Sequence, residues 1–263
     1  MEAINSFFIE DGHLDSTKNF NDEKNSKDKI IYEVIRINNG EPLFLEVHLK
    51  RMEKSFNLMD KSFPYEYNKI AEYLERVISA NHRKEGNVKI TFNIDEDLMK
   101  VFYIKHIYPT DEMYKNGVDT ILYNGERHNP NAKVIDCKFR EKVNEEIKKK
   151  NAFEAILVDN TGYITEGSKS NIFLIKDNKL FTSKIEAVLP GVTRGKIIEI
   201  AKSENIDFEE KNSKYTELEE IDAMFISGTS PGILPISKVD SIIMNVDNEI
   251  MRKLMDLYNN KNV

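Results

Sequence analysis

Apolar and polar positions change period repeatedly along the chain, and each change marks an element. Ile30 to Ile37 is a β-rich run, and Asn38-Asn39-Gly40 turns it into Pro42 to Leu45, which predicts a hairpin. Leu49, Met52, Phe56 and Met59 then fall at helical spacing; a second helix from about Tyr65 carries Ile70, Leu74, Val77 and Ile78 and ends before Gly86. Val88, Ile90, Phe92 and Ile94 alternate with polar residues, and Asp95-Glu96-Asp97 turns that strand into Met99 to Ile104. Ahead of all this, Asn21 to Lys29 is polar throughout and reads as an exposed loop.

Pro109 to Gly117 is polar and turn-prone, a strand follows at Val118 to Tyr123, and Asn124 to Asn131 has no hydrophobic residue. The pattern therefore predicts a small N-terminal domain, 1–117, and a larger C-terminal domain, 118–263, with a linking stretch around 124–132. Phe139, Val143 and Ile147 line a helix with Glu145–Lys149 and Glu146–Lys150 pairs on its other face. Short strands come at Ala155 to Val158, Tyr163 to Thr165, Asn171 to Ile175 and Lys179 to Thr182. After them follow a helix from Val192 to Ser203, strands near Ala223 to Ser227 and Ile236 to Ile243, and a terminal helix with Ile250, Leu254 and Leu257. Strands and helices mix without strict alternation, which favours an α+β fold over a doubly wound sheet.

Composition narrows the partners. Of 263 residues, 38 are Lys or Arg and 45 Asp or Glu, a net charge of −7 that argues against nucleic acid or an anionic membrane as the main partner. The single cysteine, Cys137, permits no intrachain disulfide; with no secretory leader or spanning run in the sequence, the expected compartment is the cytoplasm. An anionic ligand has to be held by a local site.

Four segments carry the residue types for one. Leu189-Pro190-Gly191-Val192-Thr193-Arg194 leads a Pro-Gly turn into a helix, whose free N–H groups and dipole suit an anion. Ser227-Gly228-Thr229-Ser230-Pro231-Gly232 follows an apolar strand and forms a second cradle of N–H and hydroxyl groups. Thr165-Glu166-Gly167-Ser168-Lys169-Ser170-Asn171 holds a carboxylate among small hydroxyls, able to accept a proton or balance a cation. Lys133 stands at the edge of an apolar pair, where desolvation favours a nucleophilic amine. Each segment alone also reads as ordinary structure: a capped turn, a strand exit, a polar hairpin, a solvated lysine. His48, Arg51 and Ser55 share a helix flank from which Arg51 can reach an anion. The five histidines have no ligand spacing with Cys or carboxylates, so no metal site is expected.

One ligand has uses for all of these groups: a phosphate, an aldehyde and a cationic ring nitrogen occur together in pyridoxal 5′-phosphate. Spacing alone does not establish it, but a resemblance supports it. The chain resembles the class IV, fold-type IV, pyridoxal-phosphate aminotransferases, which include branched-chain and D-amino acid aminotransferases and aminodeoxychorismate lyases. The likeness rests on Tyr32-Glu33-Val34-Ile35-Arg36, His48-Leu49-Lys50-Arg51, Lys133, Glu154-Ala155-Ile156-Leu157, Thr165-Glu166-Gly167-Ser168 with Ser170-Asn171-Ile172-Phe173, Leu189 to Arg194, and Ser227 to Ser230. It implies a larger domain built on a mixed, barrel-like sheet. It also implies Lys133 as Schiff-base lysine and proton shuttle, Glu166 at the ring nitrogen, and Arg51, Val192, Thr193, Gly228, Thr229 and Ser230 around the phosphate. Tyr32 would line the substrate side, and the active form would be a homodimer.

Lys138 stands where branched-chain enzymes often place a tyrosine, and the strand Val88 to Ile94 lacks the arginine that some relatives use for a substrate carboxylate; Lys89 is the nearest substitute. The expected activity is transfer of an amino group between an amino acid, aliphatic or branched-chain, and a 2-oxo acid. An aminodeoxychorismate-type lyase ranks lower because Val134-Ile135-Asp136 lacks the run its members often carry after the lysine. A non-catalytic phosphate binder ranks last.

Overall fold

The computed structural model describes residues 2–21 and 29–261, so most of the loop expected at Asn21 to Lys29 lies outside the described residues. The chain forms two compact units, residues 1–107 with 132–135, and residues 108–131 with 136–263.

The first unit is one antiparallel sheet backed by two helices. Its strands are β1 (Phe7–Glu10), β2 (His13–Ser16), β3 (Ile30–Asn38), β4 (Glu41–Pro42), β5 (Gly86–Asn93) and β6 (Leu98–Ile104), in the order β2-β1-β6-β5-β3-β4. Helices α1 (Leu45–Asn57) and α2 (Tyr67–Asn81) pack on one face. Alternation explains the layering: Ile31, Ile35 and Ile37 of β3, Val88, Ile90 and Phe92 of β5, and Met99, Val101 and Tyr103 of β6 meet Leu49, Met52, Phe56, Leu74 and Val77 in one core. The opposite face carries Tyr32, Lys89, Thr91 and Lys100, all buried. Asn39-Gly40, both at positive φ, closes a short β3–β4 hairpin, so the chain enters α1 already at Leu45.

The second unit contains α3 (Asp111–Asn116), β7 (Val118–Asn124), α4 (Cys137–Lys149), β8 (Glu154–Val158), β9 (Ile164–Gly167), β10 (Asn171–Lys176), β11 (Lys179–Thr182), α5 (Val192–Ser203), β12 (Phe208–Glu210), β13 (Ala223–Gly228), β14 (Gly232–Val239), β15 (Ile242–Ile243) and α6 (Glu249–Lys261). The mixed sheet runs β12-β11-β10-β13-β14-β7-β8-β9, with β15 on β14. Because β9 and β10 are consecutive, their turn brings one end of this order back beside its middle, and the sheet curls on itself. Its two faces bury Phe173, Ile175 and Phe225 against α5 and α6, and Ile172, Leu174, Ile226 and Leu234 in a separate cluster.

The second unit departs from the pattern-based expectation in its later strands and before β7. The single strand at Ile236 to Ile243 is two, broken at Asp240 in positive φ, and the first begins earlier, at Gly232. The turn-prone stretch after Pro109 holds helix α3, with Thr110 capping its start through Met113 N–H and Gly117 ending it. Among the described residues no helix is long and apolar enough to cross a membrane.

Candidate active site

In the first unit the candidate residues gather around β3. Residues 132–135 lie antiparallel to its start: Tyr32 N–H donates to Lys133 O at 3.0 Å, and Ile135 N–H to Ile30 O at 3.0 Å. Lys133 N–H donates to Ser55 Oγ of α1 at 3.0 Å. The lysine is thus fixed at both backbone groups, and its Nζ stands 4.6 Å from the centroid of the Tyr32 ring.

On the other face of β3, Glu33 points at α1 and is wholly buried. Its Oε1 accepts from Arg51 Nε at 2.7 Å and its Oε2 from Arg51 Nη2 at 2.6 Å, a bidentate pair, while His48 Nδ1 lies 2.8 Å from Oε2. Burial alone would raise the Glu33 carboxyl, but the Arg51 guanidinium and His48 hold it well below the usual carboxylate range. For His48 the balance goes the other way: burial lowers it and outweighs the pull of Glu33, with Arg51 and Lys133 adding repulsion. Burial thus favours the neutral ring, which donates to Glu33 in the tautomer with its proton on Nδ1. The sequence alone assigns Glu33 no separate role. Its only signal is an acid at a core-facing position of an alternating strand, in register with a His and an Arg one helical turn apart.

In the second unit, Glu166 of β9 is 3% exposed. Its Oε2 accepts from Leu189 N–H at 2.9 Å and its Oε1 from Arg127 Nη1 at 3.2 Å. Asn171 Nδ2 donates to Leu189 O at 2.9 Å, so both backbone groups of Leu189 are held just before α5 begins. Gly191 is the N-cap of α5 and has no side-chain capping bond; a Cβ there would collide with Asn171 Oδ1, so only glycine lets the helix start this close to β10. Val192 and Thr193 follow in the first turn, both buried. Asn171 pairs in register with Ser227 on β13, which places Gly228, Thr229 and Ser230 at the same end of the sheet. Those residues lead through a tight turn into β14.

Three polar residues here were given no role from sequence. Arg127 sits in the stretch without hydrophobic residues yet reaches Glu166. Asn131 Nδ2 donates to Ile185 O and Val188 O, both at 2.7 Å, tethering the approach to Leu189. Buried Glu154 accepts from Ser168 N–H at 3.1 Å and Ser170 Oγ at 3.2 Å, and also from the Ser168 hydroxyl, stiffening the turn after Glu166. Lys138 is exposed on the first turn of α4, which Cys137 opens.

The family model for class IV amino-transferases matches residues 30–239, and the chain belongs to that family. Among curated relatives, D-alanine aminotransferase of Bacillus licheniformis is 26% identical over 80% of this chain and 78% of its own length. Among solved structures, the branched-chain amino acid aminotransferase of Escherichia coli superposes with a TM-score of 0.89 at 20% identity, covering 99% of this chain and 95% of that one. The branched-chain aminotransferase of the thermophilic archaeon Thermoproteus uzoniensis, solved with norvaline, gives 0.86 at 22% identity, covering 97% and 94%. These superpositions show the α+β fold of the branched-chain enzymes in this chain.

Proposed function

We propose that this protein is a pyridoxal-phosphate-dependent aminotransferase that moves an amino group between an aliphatic amino acid and a 2-oxo acid, working as a homodimer. The observation that carries it is the buried Glu166 carboxylate, fixed by Leu189 N–H two residues ahead of the uncapped start of α5. That pairing of a carboxylate with an anion-binding helix end suits a molecule with a cationic ring nitrogen and a phosphate. The cofactor therefore fits the residues present.

When bound, pyridoxal phosphate supplies an aldehyde carbon and an electron-withdrawing ring that takes up the charge left as the amino acid loses its α-proton. Lys133 Nζ would bond that carbon and accept the α-proton, its position set by Ser55 and the Tyr32 ring. Glu166 would hold the proton on the ring nitrogen by charge. The N–H groups of Val192 and Thr193, with Gly228, Thr229 and Ser230, would hold the phosphate, and Arg51, oriented by Glu33, would add a guanidinium. Tyr32 would line the substrate side.

The test is a half-reaction screen of L- and D-amino acids with the cofactor-loaded protein, following absorbance from the pyridoxal to the pyridoxamine form. At least one aliphatic amino acid is expected to convert, and Lys133→Ala to abolish the change. Conversion by none would overturn the proposal, and pyruvate release from aminodeoxychorismate without an acceptor would replace it with the lyase.

A further inference from the structure

The turn between β13 and β14 carries Gly228, Thr229 and Ser230 of the candidate phosphate site. Gly228 and Gly232 pair across the two strands, so Thr229, Ser230 and Pro231 alone make the turn. The Pro231 ring locks that residue's φ and restricts Ser230 before it to extended backbone. Gly232 leaves the turn at a φ of +60°, and a Cβ there would stand 3.2 Å from the Tyr258 ring. The torsion this leaves open at Pro231 is ψ, and it is set from another element: the Tyr114 hydroxyl donates to Pro231 O at 2.9 Å.

Tyr114 belongs to α3, a helix of only six residues that would not persist alone. Its position comes from its neighbours. Arg252 of α6 donates from Nη1 to Tyr114 O at 2.7 Å and from Nη2 to Lys115 O at 2.6 Å, capping carbonyls of the last turn. Gly117, which ends α3, lies so close to β14 that a Cβ would be 2.8 Å from Ser237 N. The Tyr114 ring packs against two of the unit's apolar clusters. Its hydroxyl is therefore presented to Pro231 by a helix that is itself fixed at its end, along its side and through its ring.

We propose that Tyr114 is a positioning residue for the cofactor's phosphate, acting through Pro231. The assignment rests on the aminotransferase reading. The bond to Pro231 O fixes the peptide plane between Pro231 and Gly232; with φ of Pro231 locked by its ring, the plane between Ser230 and Pro231 is fixed as well. Proline and tyrosine thus divide the task, one setting φ and the other ψ. N–H groups and hydroxyls that receive an anion have to converge within about 0.5 Å before it arrives. Without the Tyr114 bond, ψ of Pro231 relaxes, and Thr229 and Ser230 sample positions that no longer converge. The loss falls on the phosphate and spares the ring and the aldehyde.

The test titrates the full chain, freed of cofactor, with pyridoxal 5′-phosphate and separately with pyridoxal, which keeps the ring and aldehyde and lacks the phosphate; binding is read by absorbance. The wild type is expected to prefer the phosphorylated form. Tyr114→Phe removes one oxygen and keeps the ring packing. It is expected to weaken pyridoxal phosphate about five- to tenfold and to leave pyridoxal unchanged. Equal loss for both, the mark of a general structural role, overturns the proposal, as does unchanged affinity for both. If Tyr114→Phe does not fold, Pro231→Ala, which frees φ in the same turn, is expected to show the same selective loss, and its absence overturns the proposal. A wild-type preference for the phosphate that survives Tyr114→Phe is failure of this inference alone; a preference that depends on Tyr114, with no amino acid turned over, is failure of the aminotransferase reading alone.

Discussion

Glu33 shows how much one residue can fix. A carboxylate with no exposed surface survives only because it receives both arms of Arg51 and the ring of His48. Removing its charge strands the guanidinium, so Glu33→Gln is expected to destabilise the fold by about 3 kcal/mol, read as a lower guanidinium-denaturation midpoint at unchanged slope. Replacing Glu33 and Arg51 together by methionine should recover most of that stability, because no unpaired charge remains, while leaving cofactor affinity impaired. Equal recovery of both properties would mean that the pair has no part in the site.

At the scale of elements, α5 provides a contrast within one helix. Gly191 packs against Asn171, whereas a Cβ on Gly195 meets nothing within 4 Å. Gly191→Ala is therefore expected to push the helix start off β10 and weaken cofactor binding about tenfold or more. Gly195→Ala should stabilise the protein by about 0.5–1 kcal/mol and leave binding unchanged. Cofactor titration and thermal unfolding of the two variants check both claims. The same helix shows what could be read from sequence. Its span, Val192 to Ser203, followed from apolar spacing and a Pro-Gly entry, as did the strands with long alternation, Ile30 to Ile37 and Val88 to Ile94. The N-terminal hairpin β1–β2 did not, since its strands have four residues each and β2 is almost wholly exposed, leaving no hydrophobic period to detect. The candidate residues themselves were visible as types in short motifs. The contacts through which Glu33, Arg127, Asn131 and Glu154 orient them were not, because each joins residues far apart along the chain that no local pattern links.

For the whole molecule, acid should act unequally on the two units. His48 and His106 both titrate below the usual 6.5, His106 at about 4 because burial and Arg36 disfavour its charge. The unfolded chain therefore binds more protons than the native one as pH falls below about 6.5, and stability declines from there toward the native values. Glu33, depressed by Arg51, adds a further loss below its usual 4.5. All three belong to the first unit. In the second, the lowered carboxylates Asp119 and Asp159 lose their contribution only below the usual 3.8. Amide exchange compared at pH 7 and pH 4.5 should show protection falling in β3 and β5 while β10 and β13 keep theirs; equal loss in both sheets would refute the assignment.

The four residues 132–135 have a consequence for how such a chain can be taken apart. They belong to the first unit, although the chain reaches them from the second and returns to it directly afterwards. A cut after Ile107 would yield a fragment lacking both the backbone that pairs with Ile30 and Tyr32 and the amine of Lys133. The two units are therefore not interchangeable cassettes: neither can be grafted, shuffled or inherited alone without dividing Lys133 from the sheet it pairs with.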